Sequence, residues 1–201
     1  VYGLITNVRR DMSKTKMGPM TLIYPMPTVL VGAEVDGKPN FLAIAWCGIA
    51  NGEPPMVSVA LRSQRYTLKG IRQNQTFSVN IPSVDIIKEV DYCGVRSGAK
   101  VDKVAVCNFK IFYGDVEKTP LIEQCPVNLE CHVVQMLDLG SHNLIIGRIE
   151  ETHVSDDCLT DGRPDVEKIR PFIYVTPQRE YHAFGEVIAK AFSVGLELEQ
   201  Q

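Results

Sequence analysis

Apolar and polar residues alternate with a period of two along several short stretches, the spacing that buries one face of a β-strand. Thr28 to Val35 (TVLVGAEV) is rich in β-branched residues and ends in Asp36-Gly37-Lys38-Pro39, a turn sequence. Phe41 to Trp46 returns as the second arm of that hairpin, and Leu22 to Tyr24 reads as a short strand before it. After the breaker Pro54-Pro55, Met56 to Leu61 (MVSVAL) places Val57, Val59 and Leu61 on one face. Thr76 to Ile81 (TFSVNI) is a further strand, stopped by Pro82. Val127 to Leu137 and Asn143 to His153 are long strands joined through Asp138-Leu139-Gly140-Ser141, and Phe172 to Val175 is a short one after the turn Asp161-Gly162-Arg163-Pro164.

The period changes to that of a helix at Thr67 to Gln73, where Leu68 and Ile71 mark an inner side. Ser83 is placed to cap a second helix through Asp85, Ile86, Ile87 and Val90, with acidic residues in its first turn. Lys100 to Val106 supplies another turn or two. Strands dominate with helices between them, which favours a mainly β barrel decorated with helices over a doubly wound sheet. No linker or repeat divides the chain. Val1 to Lys16 is expected to be an arm or a non-native remnant, with Met12 or Met17 as candidate starts, and residues 17–201 a single domain.

Composition narrows the function. A 201-residue chain that is 45% hydrophobic buries a full core without metals or disulfides. The formal net charge of −3, with no run of Lys or Arg along a face, disfavours nucleic acid. No stretch is apolar for long enough to cross a bilayer, and no signal peptide is visible, so a cytoplasmic location is expected. The six cysteines follow no zinc spacing and contain no C-x-x-C pair. They read as small buried hydrophobes in a reducing compartment. Cys131-His132 would point to opposite faces of a strand and makes a poor chelate. Gly32 to Lys38 matches the first seven positions of a P-loop, but Pro39 stands where magnesium binding needs Ser or Thr, and the glycines belong to a strand and a hairpin turn.

The chemistry concentrates between Ala43 and Thr67. Arg62, Ser63, Arg65, Tyr66 and Thr67 gather cations and hydroxyls where a strand ends and a helix begins. A helix start offers free N–H groups and a positive dipole end to an anion. Arg62 supplies a bidentate fork, and Thr67 both a hydroxyl and a cap. A solvated, well-capped helix start is the plainer reading of the same residues.

The run Ala45-Trp46-Cys47-Gly48, Pro54-Pro55, Val57 to Arg62, Tyr66-Thr67 and Phe77 to Pro82 resembles the flavin reductase-like, FMN-binding split-barrel family, and within it the flavoredoxin group. Asp91 to Gly94, Ser97-Gly98, Asp102-Lys103, Leu129 to Cys131, Gly140-Ser-His142-x-x-x-x-Gly147, Arg170 to Tyr174 and Gly185 to Gly195 follow in the family's order. The resemblance spans about Leu22 to Gly195. It implies a single-domain Greek-key split β-barrel binding FMN non-covalently. Ala43, Ile44, Ala45, Trp46 and Cys47 would lie along the isoalloxazine through their backbone. Many relatives carry Thr where this chain has Ile44. Arg62, Tyr66 and Thr67 would hold the phosphate; Asn80 and Ile81 would contact the ring or ribityl chain; Ser97, Gly98 and Lys103 would close the phosphate side. His142 would lie at the flavin face where a hydride donor stacks, a catalytic candidate, while His132, His153 and His182 read as structural. Tyr174 and Tyr181 would shape the entrance.

The resemblance further implies a homodimer with FMN near the subunit seam. The activity it implies is an NAD(P)H:flavin oxidoreductase, with NAD(P)H as transient donor. A flavoredoxin-type carrier serving a protein or iron–sulfur partner is the alternative. A non-catalytic barrel holding haem through His142 is a reading of another class, and it leaves the Arg62-to-Thr67 cluster unexplained.

Overall fold

The computed structural model describes residues 13–200, so all but the end of the proposed N-terminal arm lies outside the described residues. Strands β1 (Val29–Val35), β2 (Lys38–Ile44), β3 (Cys47–Gly52) and β4 (Pro55–Arg62) lead into helix α1 (Tyr66–Asn74). Then come β5 (Thr76–Ile81), helices α2 (Ile87–Val95) and α3 (Lys103–Val106), and the long hairpin of β6 (Val127–Asp138) and β7 (His142–Val154). Strands β8 (Phe172–Val175) and β9 (Glu180–Ala183) form a small separate sheet with Met26–Pro27. The short strand therefore begins at Met26 rather than at Leu22, because Phe172 to Val175 supplies its partner there.

The main sheet has seven strands in the order β2-β1-β5-β6-β7-β4-β3. Its two edges, β2 and β3, are consecutive in the chain and joined by Ala45 and Trp46. The Trp46 carbonyl accepts from the Ala60 N–H (2.9 Å), so the chain leaves its pairing with β1 and takes up pairing with β4 at this joint. The sheet thus curls back on itself, as the split-barrel reading requires, without a hydrogen-bonded ladder closing it. Asp36 and Gly37 both have positive φ (52° and 76°), the backbone of a tight β1–β2 hairpin turn.

Alternate residues fill the inside of the curl. Val29, Val31 and Ala33 of β1, Val57, Val59 and Leu61 of β4, and Phe77 and Val79 of β5 are all buried together. Leu68 and Ile71 of α1 complete this core, one helical turn apart as their spacing predicts. A nine-residue helix is marginal in isolation, so this packing holds it in place. The outer face of β1 and β2 carries Leu30 and Phe41 against Val90 and Cys93 of α2, Phe109, Ile122 and Phe172. Ser83 does cap a turn, accepting from the Asp85 N–H, but the turn is 3-10 and the α-helix proper starts at Ile87.

All six cysteines are free, four of them buried. Cys131 faces the core while the adjacent His132 is exposed, as strand alternation dictates. No helix among the described residues is long and apolar enough to cross a membrane.

Candidate functional site

The free edge of β2 organises the site. An edge strand leaves every second carbonyl without a ladder partner, and here the Phe41 carbonyl accepts from the Lys103 ammonium (2.7 Å), which also donates to the Cys93 carbonyl (2.8 Å). One lysine thereby ties β2, α2 and α3 together. Asn40, one residue earlier, donates its amide to the Thr67 hydroxyl (2.7 Å) and fixes the start of α1 to the same strand. Arg65 donates to the Gly94 carbonyl (3.3 Å), joining that helix start to α2.

Between these ties lies a cavity of about 250 Å³ bordered by Arg62, Arg65, Tyr66, Thr67, Arg96, Ser97, Gly98 and Lys103. Among the described residues none of the three guanidiniums has a carboxylate partner. No side chain caps α1, whose start borders the same space through Arg65, Tyr66 and Thr67. A Cβ at Gly98 would land on the Asn40 amide and crowd the Tyr66 ring, so only glycine keeps this wall open. The arrangement fits a dianionic phosphate, held by guanidinium forks and backbone donors.

A second cavity, about 410 Å³, adjoins the first through Leu42, Arg62 and Arg65. Ala43, Ile44, Ala45, Trp46, Ala60, His142 and Tyr174 line it. Three alanines among these residues keep the lining free of bulky side chains. Cys47, expected along the ring, lines neither cavity: its side chain packs on the barrel core, and burial pushes the thiol up to about 12. Ile44 likewise packs its side chain on that core. Of the two tyrosines, Tyr174 reaches the slot; Tyr181 donates to Asp91 (2.9 Å) behind it.

His142 lies directly opposite Arg62 in the β7–β4 register and stacks on Trp46, with ring centroids 4.3 Å apart and planes inclined by 27°. The Ser141 hydroxyl sits 2.9 Å from its Nδ1. Partial burial, and then the charges of Arg62 and Arg65, hold its pKa below the ordinary histidine value. Trp46 is the only tryptophan in the chain. Its emission is therefore expected to titrate with His142, at a midpoint below the ordinary value near 6.5. The transition should vanish in His142→Gln; persistence there would assign it to another group.

Three further expectations need correction. Asn80 does not reach the site: it is wholly buried, donates to the Leu30 carbonyl (3.0 Å) and Ser78 hydroxyl (2.9 Å), and accepts from the Ile122 N–H (3.0 Å) and Asn128 amide (2.7 Å). Ile81 packs on the barrel core instead. Strand β1 separates both from β2, since Asn80 pairs with Leu30 and Leu30 with Ala43. Thr67 does not cap its helix, because Asn40 engages its hydroxyl and Arg65 occupies the cap position. Lys103 is 3% exposed, and its charge serves two carbonyls before any ligand. Burial lowers its pKa, an effect that Cys93 partly offsets.

Arg65 and Arg96 are the charged cavity residues to which the sequence reading assigned no particular contact. Arg65 was visible in the cationic cluster, whereas Arg96 had only its place beside Ser97-Gly98 to mark it. The remaining histidines line neither cavity and meet carboxylates instead: His153 the buried Glu130 (2.7 Å), His132 Glu150 (3.2 Å) and His182 Glu180 (3.0 Å).

Comparison with known proteins agrees with this architecture. A flavoredoxin from Methanosarcina acetivorans is 37% identical, with a TM-score of 0.89 over 93% of this chain and 100% of that one. A flavoredoxin of Desulfovibrio vulgaris (Miyazaki F) is also 37% identical, with a TM-score of 0.85 over 91% of this chain and 100% of that one. A protein of Archaeoglobus fulgidus is 34% identical over 145 residues, 72% of this chain and 80% of the relative. The family model described as flavin reductase like domain matches residues 20–183. The chain belongs to the flavin reductase-like family.

Proposed function

We propose that this protein binds one FMN non-covalently and uses it as a redox centre, taking electrons from NAD(P)H and passing them to a flavin or another acceptor. The observation that carries the reading is the pair of joined cavities: three arginines without a carboxylate partner among the described residues around the smaller, an alanine-walled slot in the larger. When bound, FMN supplies the two-electron chemistry, and the protein contributes position and electrostatics. Arg62, Arg65 and Arg96 hold the phosphate, helped by the α1 start and by the room that Gly98 leaves. Ala43, Ala45 and Ala60 admit the ring, with backbone polar groups of Ala43 to Trp46 at its edge. Trp46 and His142 border the slot, and His142, neutral near pH 7, leaves the site free of an added charge that would have to be desolvated.

The similarity to two flavoredoxins favours a second reading, a carrier that exchanges electrons with a protein partner rather than with nicotinamide. Haem fits the site less well, because His142 is stacked on Trp46 and the arginine cavity has no use in that reading. A homodimer fits the exposed apolar side chains of the C-terminal segment, among them Phe184, Val187, Ile188 and Phe192. Six free thiols accord with a reducing, cytoplasmic setting.

The test is the absorbance spectrum of the purified protein, with FMN added where needed, followed anaerobically by NADH and then NADPH. Oxidised-flavin bands that bleach with either nicotinamide support the reductase. Bands that persist until dithionite is added select the carrier. A protein that neither carries nor accepts FMN overturns the proposal.

A further inference from the structure

Three thiols gather behind the wall of the arginine cavity. Cys93 of α2 and Cys125 belong to the apolar cluster on the outer face of β1 and β2, and Cys107 packs against it. Cys107 ends α3, one turn after Lys103, to whose carbonyl its N–H donates (2.9 Å). Its sulfur lies 3.8 Å from the Glu89 carbonyl of α2. Glu89 is one helical turn before Cys93, and a helical side chain leans back over the turn that precedes it. Both sulfurs are thereby brought to the same turn of α2.

The two differ in exposure and in what surrounds them. Cys93 is wholly buried and Cys107 half-buried. Burial pushes the Cys93 thiol up to about 12, and the neighbouring Cys107 adds to the rise. Burial also raises Cys107, but there the Cys93 thiol, donating a hydrogen bond, works the other way. The Lys103 ammonium, which donates to the Cys93 carbonyl (2.8 Å), favours the thiolate of each. Cys107 is therefore the sulfur that meets a reagent first, and Cys93 the one behind it.

The segment these cysteines bracket carries Arg96, Ser97, Gly98 and Lys103 to the arginine cavity. Side chains tie it to its surroundings at few points: Lys103 to the Phe41 and Cys93 carbonyls, and Arg65 to the Gly94 carbonyl. A bond between the two sulfurs would close the segment into a ring and restrict its opening.

We infer that Cys93 and Cys107 form a reversible disulfide that clasps the wall of the arginine cavity and slows the escape of bound FMN. The oxidant is a low-molecular-weight disulfide, RSSR. The Cys107 thiolate attacks one of its sulfurs, forming a mixed disulfide and releasing the first RS⁻. Cys93 then loses its proton to solvent, and its sulfur attacks Cys107 Sγ, expelling the second RS⁻. Two protein thiols are oxidised by two electrons, and RSSR is reduced to two thiols that take up the two protons. In a reducing compartment the free thiols are the resting form and the disulfide is transient. The effect on FMN rests on the flavin reading; the disulfide itself does not.

The experiment treats the reduced full-length protein with oxidised glutathione, blocks the remaining thiols and maps the tryptic peptides without reduction. Cleavage after Lys88, Arg96, Lys103 and Lys110 puts Cys93 in Glu89–Arg96 and Cys107 in Val104–Lys110. These two peptides are expected to appear linked, free of glutathione, and to separate with dithiothreitol. Cys93→Ser should stop at glutathione on Cys107, and Cys107→Ser should leave Cys93 unmodified. A wild-type protein that retains glutathione on Cys107, joins Cys93 to Cys125 instead, or leaves both thiols free would overturn the inference. FMN dissociation, followed by the return of flavin fluorescence on dilution, is expected to be severalfold slower from the oxidised protein than from the reduced one. Equal rates with the disulfide mapped would overturn the clasp. If FMN does not bind at all, the flavin reading falls, and the peptide map still decides the disulfide.

Discussion

Arg62→Ala/Arg65→Ala is expected to lose FMN affinity by roughly a hundredfold to ten-thousandfold while the protein unfolds at its usual midpoint. A hydrogen bond to a charged group is worth about 1.5–3 kcal/mol, and the variant removes at least two such donors. Neither arginine forms an ion pair among the described residues, and neither belongs to the buried core. Among the described residues the only side-chain hydrogen bond lost is the long one from Arg65 to the Gly94 carbonyl (3.3 Å), so the effect on stability should stay within about 0.5 kcal/mol. Fluorescence titration with FMN and riboflavin side by side checks the assignment. Riboflavin has no phosphate, so its affinity should hardly change. If both flavins weaken equally, the arginines act on the ring slot and the phosphate lies elsewhere.

Asn80→Ala should have the opposite profile. Asn80 joins β1, β5, β6 and the Leu121–Ile122 strand through four hydrogen bonds in a fully buried position. Truncation leaves the Ile122 N–H without that acceptor and takes one of the acceptors of the Asn128 amide. Each buried orphan costs about 1–3 kcal/mol, so about 2–5 kcal/mol of stability should be lost in urea unfolding. That is a large share of the 5–15 kcal/mol typical of a domain. FMN affinity of the molecules that remain folded should stay within about twofold. A stable variant with loosened flavin would restore Asn80 to the site.

These two variants mark where sequence reasoning succeeds and where it stops. Both Arg62 and Asn80 sit at strand ends within matched motifs. Arg62 was readable because a cation at a strand-to-helix junction has an evident use. Asn80 was misread because a polar residue in a strand advertises a contact without naming the partner. Three of its four partners lie 42, 48 and 50 positions away along the chain, beyond the reach of any local pattern. Thr67 shows the same limit at closer range: its cap role was chemically sound, but Asn40 of β2, 27 positions earlier, engages the hydroxyl.

By itself the sequence determined the period-two strands, the Asp36-Gly37 turn, the inner side of α1 and the cationic start of that helix. Each depends on neighbours within a few residues, where spacing and backbone preference act directly. The order of its motifs determined the family. Tertiary structure alone decided that β2 and β3 form opposite edges of one curled sheet, meeting at Trp46. It alone brought Arg96 to the same cavity as Arg62, laid His142 on Trp46, turned Lys103 toward two carbonyls and joined the two cavities along β2. Those arrangements follow from which strands pair and which edge remains free, and pairing is settled by the packing of the whole chain rather than by any one segment.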